Sequence, residues 1–147
     1  MIAVVQRVLA AGVFVDDPQH SETIEKGCCV LLGVEQGDEK SDAEWMAKKL
    51  SNLRIFNDEE GKMNRSIIDI RGELLLISQF TLAGDCTQGN RPSFMNAARP
   101  ELAKPLIEYV GNLLLEYGVP VKRGIFGAQM RVEIENDGPV TVILKQD

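Results

Sequence analysis

The opening stretch "IAVVQRVLAAGVFVD" is rich in Val and Ile and alternates partly between apolar and other residues. That pattern predicts one long β-strand, or two split near Gly12. "CCVLLGVEQ" is nearly continuous in apolar residues and predicts a central, buried strand. The period then changes. Ala43, Met46, Ala47 and Leu50 recur at helical spacing within "GDEKSDAEWMAKKLSNLRIF", with Leu53 continuing the stripe. Ser41 or Asp38 can cap this helix, and acidic residues crowd its first turn. "NDEEGKMN" reads as a turn in which Gly61 takes positive φ. "GELLLISQFTL" is a strong strand ending in polar residues. A second helix runs from about Arg99 to Tyr117, with Leu102, Leu106, Val110, Leu113, Leu114 and Tyr117 as its stripe. Pro100 suits its first turn, Pro105 restricts where that turn lies, and Gly118 with Pro120 stops it. Strand character returns in "VPVKRGIFGAQMRVEIEND". Asn136-Asp137-Gly138-Pro139 reads as a turn, and "PVTVILK" supplies the last strand.

Strands outnumber helices, and their order is not a regular βαβ alternation. The expected fold is α+β: a strongly curved, barrel-like, mostly antiparallel sheet covered by two main helices. The length of 147 residues suits a single domain over 1–147, burying roughly 70% of its unfolded surface. Arg7 and Asp16 interrupt the N-terminal apolar pattern, so it reads as strand and not as a signal peptide. No apolar run approaches a membrane span, and the expected compartment is the cytoplasm. The net charge of -6 argues against sequence-blind binding along a nucleic-acid backbone. It leaves room for a local basic pocket at one end of an RNA.

The common catalytic signatures are missing. His20 is the sole histidine and sits in a turn-like stretch, so no Ser-His-Asp triad can form. "GVEQGDEK" lacks the lysine and spacing of a phosphate loop, and "DEEGK" lacks the ligands of a calcium loop. Cys28 and Cys29 lie in strand interior on opposite faces, which is poor geometry for a metal or redox pair. Cys86 has no nearby histidine to activate it. Two stretches stand out instead. In "ISQFTLAGDCTQGNRPSF", Ser78, Gln79, Phe80 and Thr81 follow an apolar strand. They are either a strand leaving for a turn or polar groups facing a ligand with Phe80 as an aromatic platform. Arg91 is either a phosphate partner or a surface charge, and Phe94 reads as packing. In "NDGPVT", the Gly138-Pro139 step is either ordinary turn punctuation or rigid backbone aimed at a ligand.

"VVQRV", "LLGV", "NLRIF", "GKMN", "SQFTL", "GNRPSF" and "NDGPVT" occur in this order along nearly the whole chain. Together they resemble the D-aminoacyl-tRNA deacylase family, also called D-tyrosyl-tRNA deacylase. Ala83-Gly84 and Thr87-Gln88 stand where many members carry an aromatic and more basic residues. The resemblance implies hydrolysis of the ester joining a D-amino acid to the terminal adenosine of tRNA, a proofreading step in translation. Glycyl-tRNA, including glycine mischarged on tRNA(Ala), is implied as a further substrate. It implies a homodimer with the active site at the subunit interface, no metal, no organic cofactor and no membrane partner. It assigns catalysis to Ser78, Gln79, Phe80 and Thr81, with backbone N–H groups around Gln79 and Phe80 meeting the oxyanion. Substrate binding falls to Gly138, Pro139, Arg7, Phe80 and Arg91. The Gly138-Pro139 bond is expected to be cis and to filter chirality, with Arg7 as its brace or as an ordinary surface charge. The rival classes are an RNA-end binding module without chemistry and a small hydrolase acting on other esters.

Overall fold

The computed structural model describes residues 1–146; Asp147, the last residue of the expected domain, lies outside the described residues. Eight strands and two α-helices follow in the order β1 (Ile2–Val15), β2 (His20–Ile24), β3 (Gly27–Gly33), α1 (Lys40–Asn52), β4 (Phe56–Asn57), β5 (Met63–Arg65), β6 (Glu73–Ser78), α2 (Pro100–Glu116), β7 (Val121–Arg123) and β8 (Arg131–Lys145). β1 is one strand, not two. Its β-branched residues favour the extended chain, and Gly12 continues the pairing, opposite Thr23 and Glu133. β2 and β3 form successive parts of one return leg along β1: Val15 to Ala11 pair with His20 to Ile24, and Val8 to Ile2 with Gly27 to Gly33. β8 lies along the other edge of β1. The sheet then continues in parallel from β3 to β6 and from β6 to β7. It is therefore mixed but mostly antiparallel, as the residue pattern predicts: β1 carries the three antiparallel pairings and the β3–β6–β7 run is parallel. Curvature brings β7 back toward β2. His20 Nε2 lies 2.8 Å from the Arg123 carbonyl, and Lys122 pairs with Glu22 at 3.8 Å across this seam. His20 is thus the first residue of β2 and part of the barrel closure, not a turn residue.

Two cores result. Ala3, Val5, Cys28, Val30, Leu74 and Leu76 face the helices, while Val8, Val13, Cys29, Leu75 and Ile77 fill the concave side. Adjacent Cys28 and Cys29 point to opposite faces, as the pleat demands. β1 contributes to both because of a bulge. Val8 and Ala10 oppose the neighbouring residues Asn136 and Glu135, which leaves Leu9 as an extra residue.

The helices close the outer core. In α1, Ala43, Met46, Ala47 and Leu50 are buried, as their spacing predicts. Its cap is Glu39, not Ser41 or Asp38. The Asp42 carboxylate reaches back to accept the Glu39 N–H at 2.7 Å, closing a capping box. Asp38 is occupied elsewhere: it accepts the Glu35 N–H at 2.7 Å and pairs with the Met1 amine at 2.6 Å. α2 begins at Pro100 and runs through Pro105, whose missing N–H removes a single bond, to Glu101. Its buried stripe is Ala103, Leu106, Val110 and Leu114, narrower than the spacing suggests, since Leu102 and Tyr117 are exposed. Gly118 ends it with φ +90°, and Gly61 takes φ +77° in its turn. Among the described residues no helix is long and apolar enough to cross a membrane.

Candidate active site

β6 stops at Ser78 because the chain turns there. Gln79 takes φ -146° and ψ 80°, and residues Phe80–Ala83 wind into a short 3-10 turn. The Gln79 N–H donates to the Leu32 carbonyl at 2.8 Å, so it is not the free oxyanion donor expected near this position. Gly33 permits this closeness, since a Cβ there would lie 2.8 Å from the Gln79 carbonyl oxygen. The N–H groups of Phe80 and Thr81 open the 3-10 turn and have no partner within it. Gln79 Nε2 donates to Thr81 Oγ1. Phe80 is 57% exposed, and its ring meets that of Phe94 edge-on at 5.2 Å and 71°. Gly84 makes room for Phe94, because a Cβ there would fall 2.9 Å from its ring. Asp85 and Ser93 exchange backbone bonds of 2.7 and 2.9 Å, which holds the intervening loop as a hairpin with Arg91 exposed.

Ser78, Gln79, Phe80 and Phe94 open onto a cavity of about 590 Å3 whose far wall includes Phe126 and Met130. Apolar walls with a few convergent polar groups are what a small-ligand pocket needs. Periodicity does not mark the stretch "GIFGAQM" as a site. Its signal was an aromatic flanked by two glycines, Gly124 and Gly127, the latter at φ +77°. Thr81 and Arg91 lie outside the cavity lining.

The second stretch is not a turn. β8 passes through Asn136–Pro139 while still paired to β1, with Gln6 opposite Thr141 and Val8 opposite Asn136. Residues 137–140 therefore bulge out opposite Arg7 alone. The bulge is tied at both ends. Asn136 Oδ1 accepts the Val140 N–H at 2.8 Å, and its Nδ2 donates to Thr141 Oγ1 at 3.1 Å. Arg7 is no surface charge: it is 7% exposed. Its Nε donates to the Asp137 carbonyl at 3.0 Å, and its Nη1 to the Ile55 carbonyl at 2.8 Å and Asn57 Oδ1 at 3.2 Å. Its charge is met by the Asp137 carboxylate at 3.5 Å. The Gly138-Pro139 bond is cis, as expected, and Gly138 has φ +133°. The sequence marks Asn136 only as a turn residue and does not mark Asn57, because the bonds both make appear only once distant strands meet.

The two groups do not come together within one chain. Arg7 is four residues along β1 from Ala3, which pairs with Leu32 and through it with Ser78. Three strand spacings and four residues separate the bulge from Ser78, on the order of 15–20 Å. Nor does the site contain a strong base. His20 is committed to the barrel seam. Burial pushes the Cys28 thiol up to about 12, Cys29 adding to the rise and Arg7 partly opposing it, and burial takes Cys29 to about 12 as well. Both thiols are neutral and enclosed. Among the described residues no three His, Cys, Asp or Glu side chains gather as metal ligands.

A mixed, barrel-like sheet backed by two helices, with an apolar cavity at the end of β6, defines the class: a small α+β protein whose site is framed mainly by backbone and neutral side chains. Residues 4–145 match the family described as D-Tyr-tRNA(Tyr) deacylase, and the chain belongs to that family. It is 56% identical over 145 residues to a D-aminoacyl-tRNA deacylase from Geotalea daltonii, covering 99% of this chain and 96% of the relative. It is 55% identical over 144 residues to the protein of that name from Fervidobacterium nodosum, covering 98% and 96%. A solved structure described as a c-Myc DNA Unwinding Element Binding Protein superposes with a TM-score of 0.91 at 41% identity, covering 100% of this chain and 99% of that one.

Proposed function

We propose that this protein hydrolyses the ester bond of D-aminoacyl-tRNA, releasing free amino acid and tRNA, and that it also accepts glycyl-tRNA, including glycine mischarged on tRNA(Ala). The observation that carries this reading is the family match over residues 4–145. The two stretches that carry the resemblance, "SQFTL" and "NDGPVT", each sit in well-braced backbone. Water attacks the ester carbonyl, and the developing oxyanion is met by the backbone N–H groups of Phe80 and Thr81, since that of Gln79 is engaged. Phe80 packs against the terminal adenine, and Ser78 and Gln79 position the ester. Thr81 acts by position: its hydroxyl accepts from Gln79 and has no adjacent base to make it a nucleophile. The ribose 2'-OH helps activate the water, so a substrate ending in 2'-deoxyadenosine should react far more slowly.

Gly138 and Pro139, braced by Arg7, form the chirality filter. Backbone without a Cβ at Gly138 approaches the substrate amino group closely and leaves no room for an L side chain. D-residues and glycine both pass. Because the bulge and the end of β6 lie apart within one chain, the complete site is assembled between two copies. The edge of β8 not paired to β1, carrying exposed Ile143, is the surface available for this. The single-domain protein works as a cytoplasmic homodimer, with the 3' end of aminoacylated tRNA as substrate and Arg91 near the RNA.

Deacylation of D-, L- and glycyl-tRNA by purified protein tests the proposal. Release of D-amino acid and glycine, with L-aminoacyl-tRNA spared, is expected. Equal release from D- and L-substrates would defeat the filter. Tight binding of uncharged tRNA without release would favour the binding module. Equal rates on a simple ester would favour a general hydrolase. Mixing inactive Gly138 and Gln79 variants should restore one pocket per heterodimer; no recovery despite proven subunit exchange would count against the shared site.

A further inference from the structure

A second cavity, of about 440 Å3, opens between α2 and the β6–β7 edge. It shares Ser78, Ile107 and Phe126 with the larger cavity, so the two meet at the end of β6. Their chemistry differs. The second presents the cations Lys104 and Arg123 against the single carboxylate of Glu108, with Asn112 beside them. Arg123 is preset. Its Nη2 donates to Asn112 Oδ1 at 3.0 Å and its Nη1 to the Glu108 carbonyl at 3.4 Å. Its guanidinium lies flat on α2 over Gly111, where a Cβ would fall 2.6 Å from Cζ. Among the described residues neither Lys104 nor Arg123 pairs with a carboxylate. In a chain of net charge -6, two cations against one carboxylate give this cavity a local positive excess that favours an anion.

The register sets the distance. Arg123 pairs with Leu76, two residues before Ser78. One strand spacing and two residues put Arg123 and Ser78 on the order of 8 Å apart. An RNA whose terminal ribose ester reaches Gln79 and Phe80 carries its last phosphodiester one sugar away from that ester. We propose that the second cavity binds this phosphodiester, with Lys104 and Arg123 as its ligands. This rests on the reading of the protein as an aminoacyl-tRNA hydrolase. A fixed guanidinium supplies geometry and a mobile ammonium supplies charge. An acidic protein thereby holds a polyanion at one point, without a basic surface along its length.

The experiment compares aminoacyl-tRNA with aminoacyl-adenosine, which lacks the phosphate. Lys104 is exposed, so Lys104→Ala and Lys104→Glu leave the packing alone. The ratio of KM for aminoacyl-tRNA to KM for aminoacyl-adenosine should rise about tenfold in Lys104→Ala, as expected for loss of a charged hydrogen bond. It should rise further in Lys104→Glu and return toward the parent value in Lys104→Arg. The slope of log KM for aminoacyl-tRNA against log salt should fall by about 0.7, one single-strand phosphate contact. An unchanged ratio and slope in Lys104→Glu, or an equal rise for both substrates, overturns the proposal while the hydrolase reading stands. If the parent protein deacylates neither substrate, the hydrolase reading falls by itself. Salt-dependent binding of uncharged tRNA then decides the phosphate contact: about tenfold weaker binding by Lys104→Ala sustains it, and unchanged affinity ends it.

Discussion

Substituting Gly138 by alanine adds one methyl group at the tightest point of the β8 bulge. A Cβ there would lie 2.8 Å from Val140 Cγ2, 3.0 Å from Arg7 Nη2 and 3.1 Å from the Val140 nitrogen, at φ +133°. Neither neighbour is free to retreat. Val140 N–H is bonded to Asn136, and Arg7 is fixed by Ile55, Asn57 and Asp137. An L-residue in so sparsely populated a backbone region costs about 1–3 kcal/mol. Forced overpacking adds about 1–3 kcal/mol. A sum of about 2–6 kcal/mol lowers Tm by about 5–20 °C in a domain of this size. Gly61→Ala is the control: its φ is +77°, but nothing lies within 4 Å of the added atom. Only the left-handed backbone term applies there, about 1–2 kcal/mol. Calorimetry of both variants separates the terms. The same variant should lose about 100-fold in kcat/KM on D-aminoacyl-tRNA at temperatures where it remains folded, the scale of an ångström-sized misplacement. If Gly138→Ala costs no more than Gly61→Ala, the clash argument is wrong and the bulge is looser than its hydrogen bonds imply.

Phe80→Ala removes an exposed ring that touches Phe94. KM for charged tRNA should rise about 5- to 100-fold, as loss of one base–aromatic stack implies, with little change in Tm. Thr81→Val deletes one hydrogen bond, so kcat should fall no more than about fivefold; a trapped acyl-enzyme or a thousandfold loss would restore threonine as the nucleophile. Glu35 offers a pH test. Partial burial pushes its carboxyl up, but hydrogen bonds and charge from the Met1 amine and Lys145 prevail and hold it below its ordinary value. A depressed folded-state pKa contributes stability that is complete above the unfolded-state value of about 4.3 and lost as pH falls through the lower folded-state value. Urea midpoints of Glu35→Gln should therefore fall below the parent at pH 7 and converge with it below pH 4; a constant gap across that range would remove the ionic explanation.

The helices were legible because their signals are local. The 3.6-residue stripe of α1 and the Pro100 and Gly118 boundaries of α2 depend on residues within a few turns. Even so, residue type does not reveal the cap at Glu39, since Ser41 and Asp38 are better cap residues by type and only the reach of Asp42 decides the matter. The "NDGP" bulge is hidden in the sequence for a different reason. Asn-Asp-Gly-Pro has the composition of a turn, and only pairing with β1 makes it a bulge within a strand. Ser78–Thr81 stood out in the sequence, but the opposite wall of the cavity, at Phe126 and Met130, comes from a segment almost fifty residues further on. The parallel β3–β6–β7 run was equally invisible. β3 and β6 are short and apolar, which fixes burial but not direction, and β7 is only the three residues Val121–Arg123.

The β1–β8 ladder joins Ile2 to Lys145. Chain elongation therefore sets the order of assembly. Once residues 1–33 have emerged, β1 and its return leg can form a hairpin whose contacts are close in sequence. The other edge of β1 then stays unpaired until β8 has been made, more than a hundred residues later. Loop closure over that span comes late and is slow. During this interval an apolar, Val-rich edge is exposed, the kind of surface on which trapping chaperones and nascent-chain aggregation act. The same ladder that holds the Gly138 bulge in place makes the nascent chain vulnerable at its first strand.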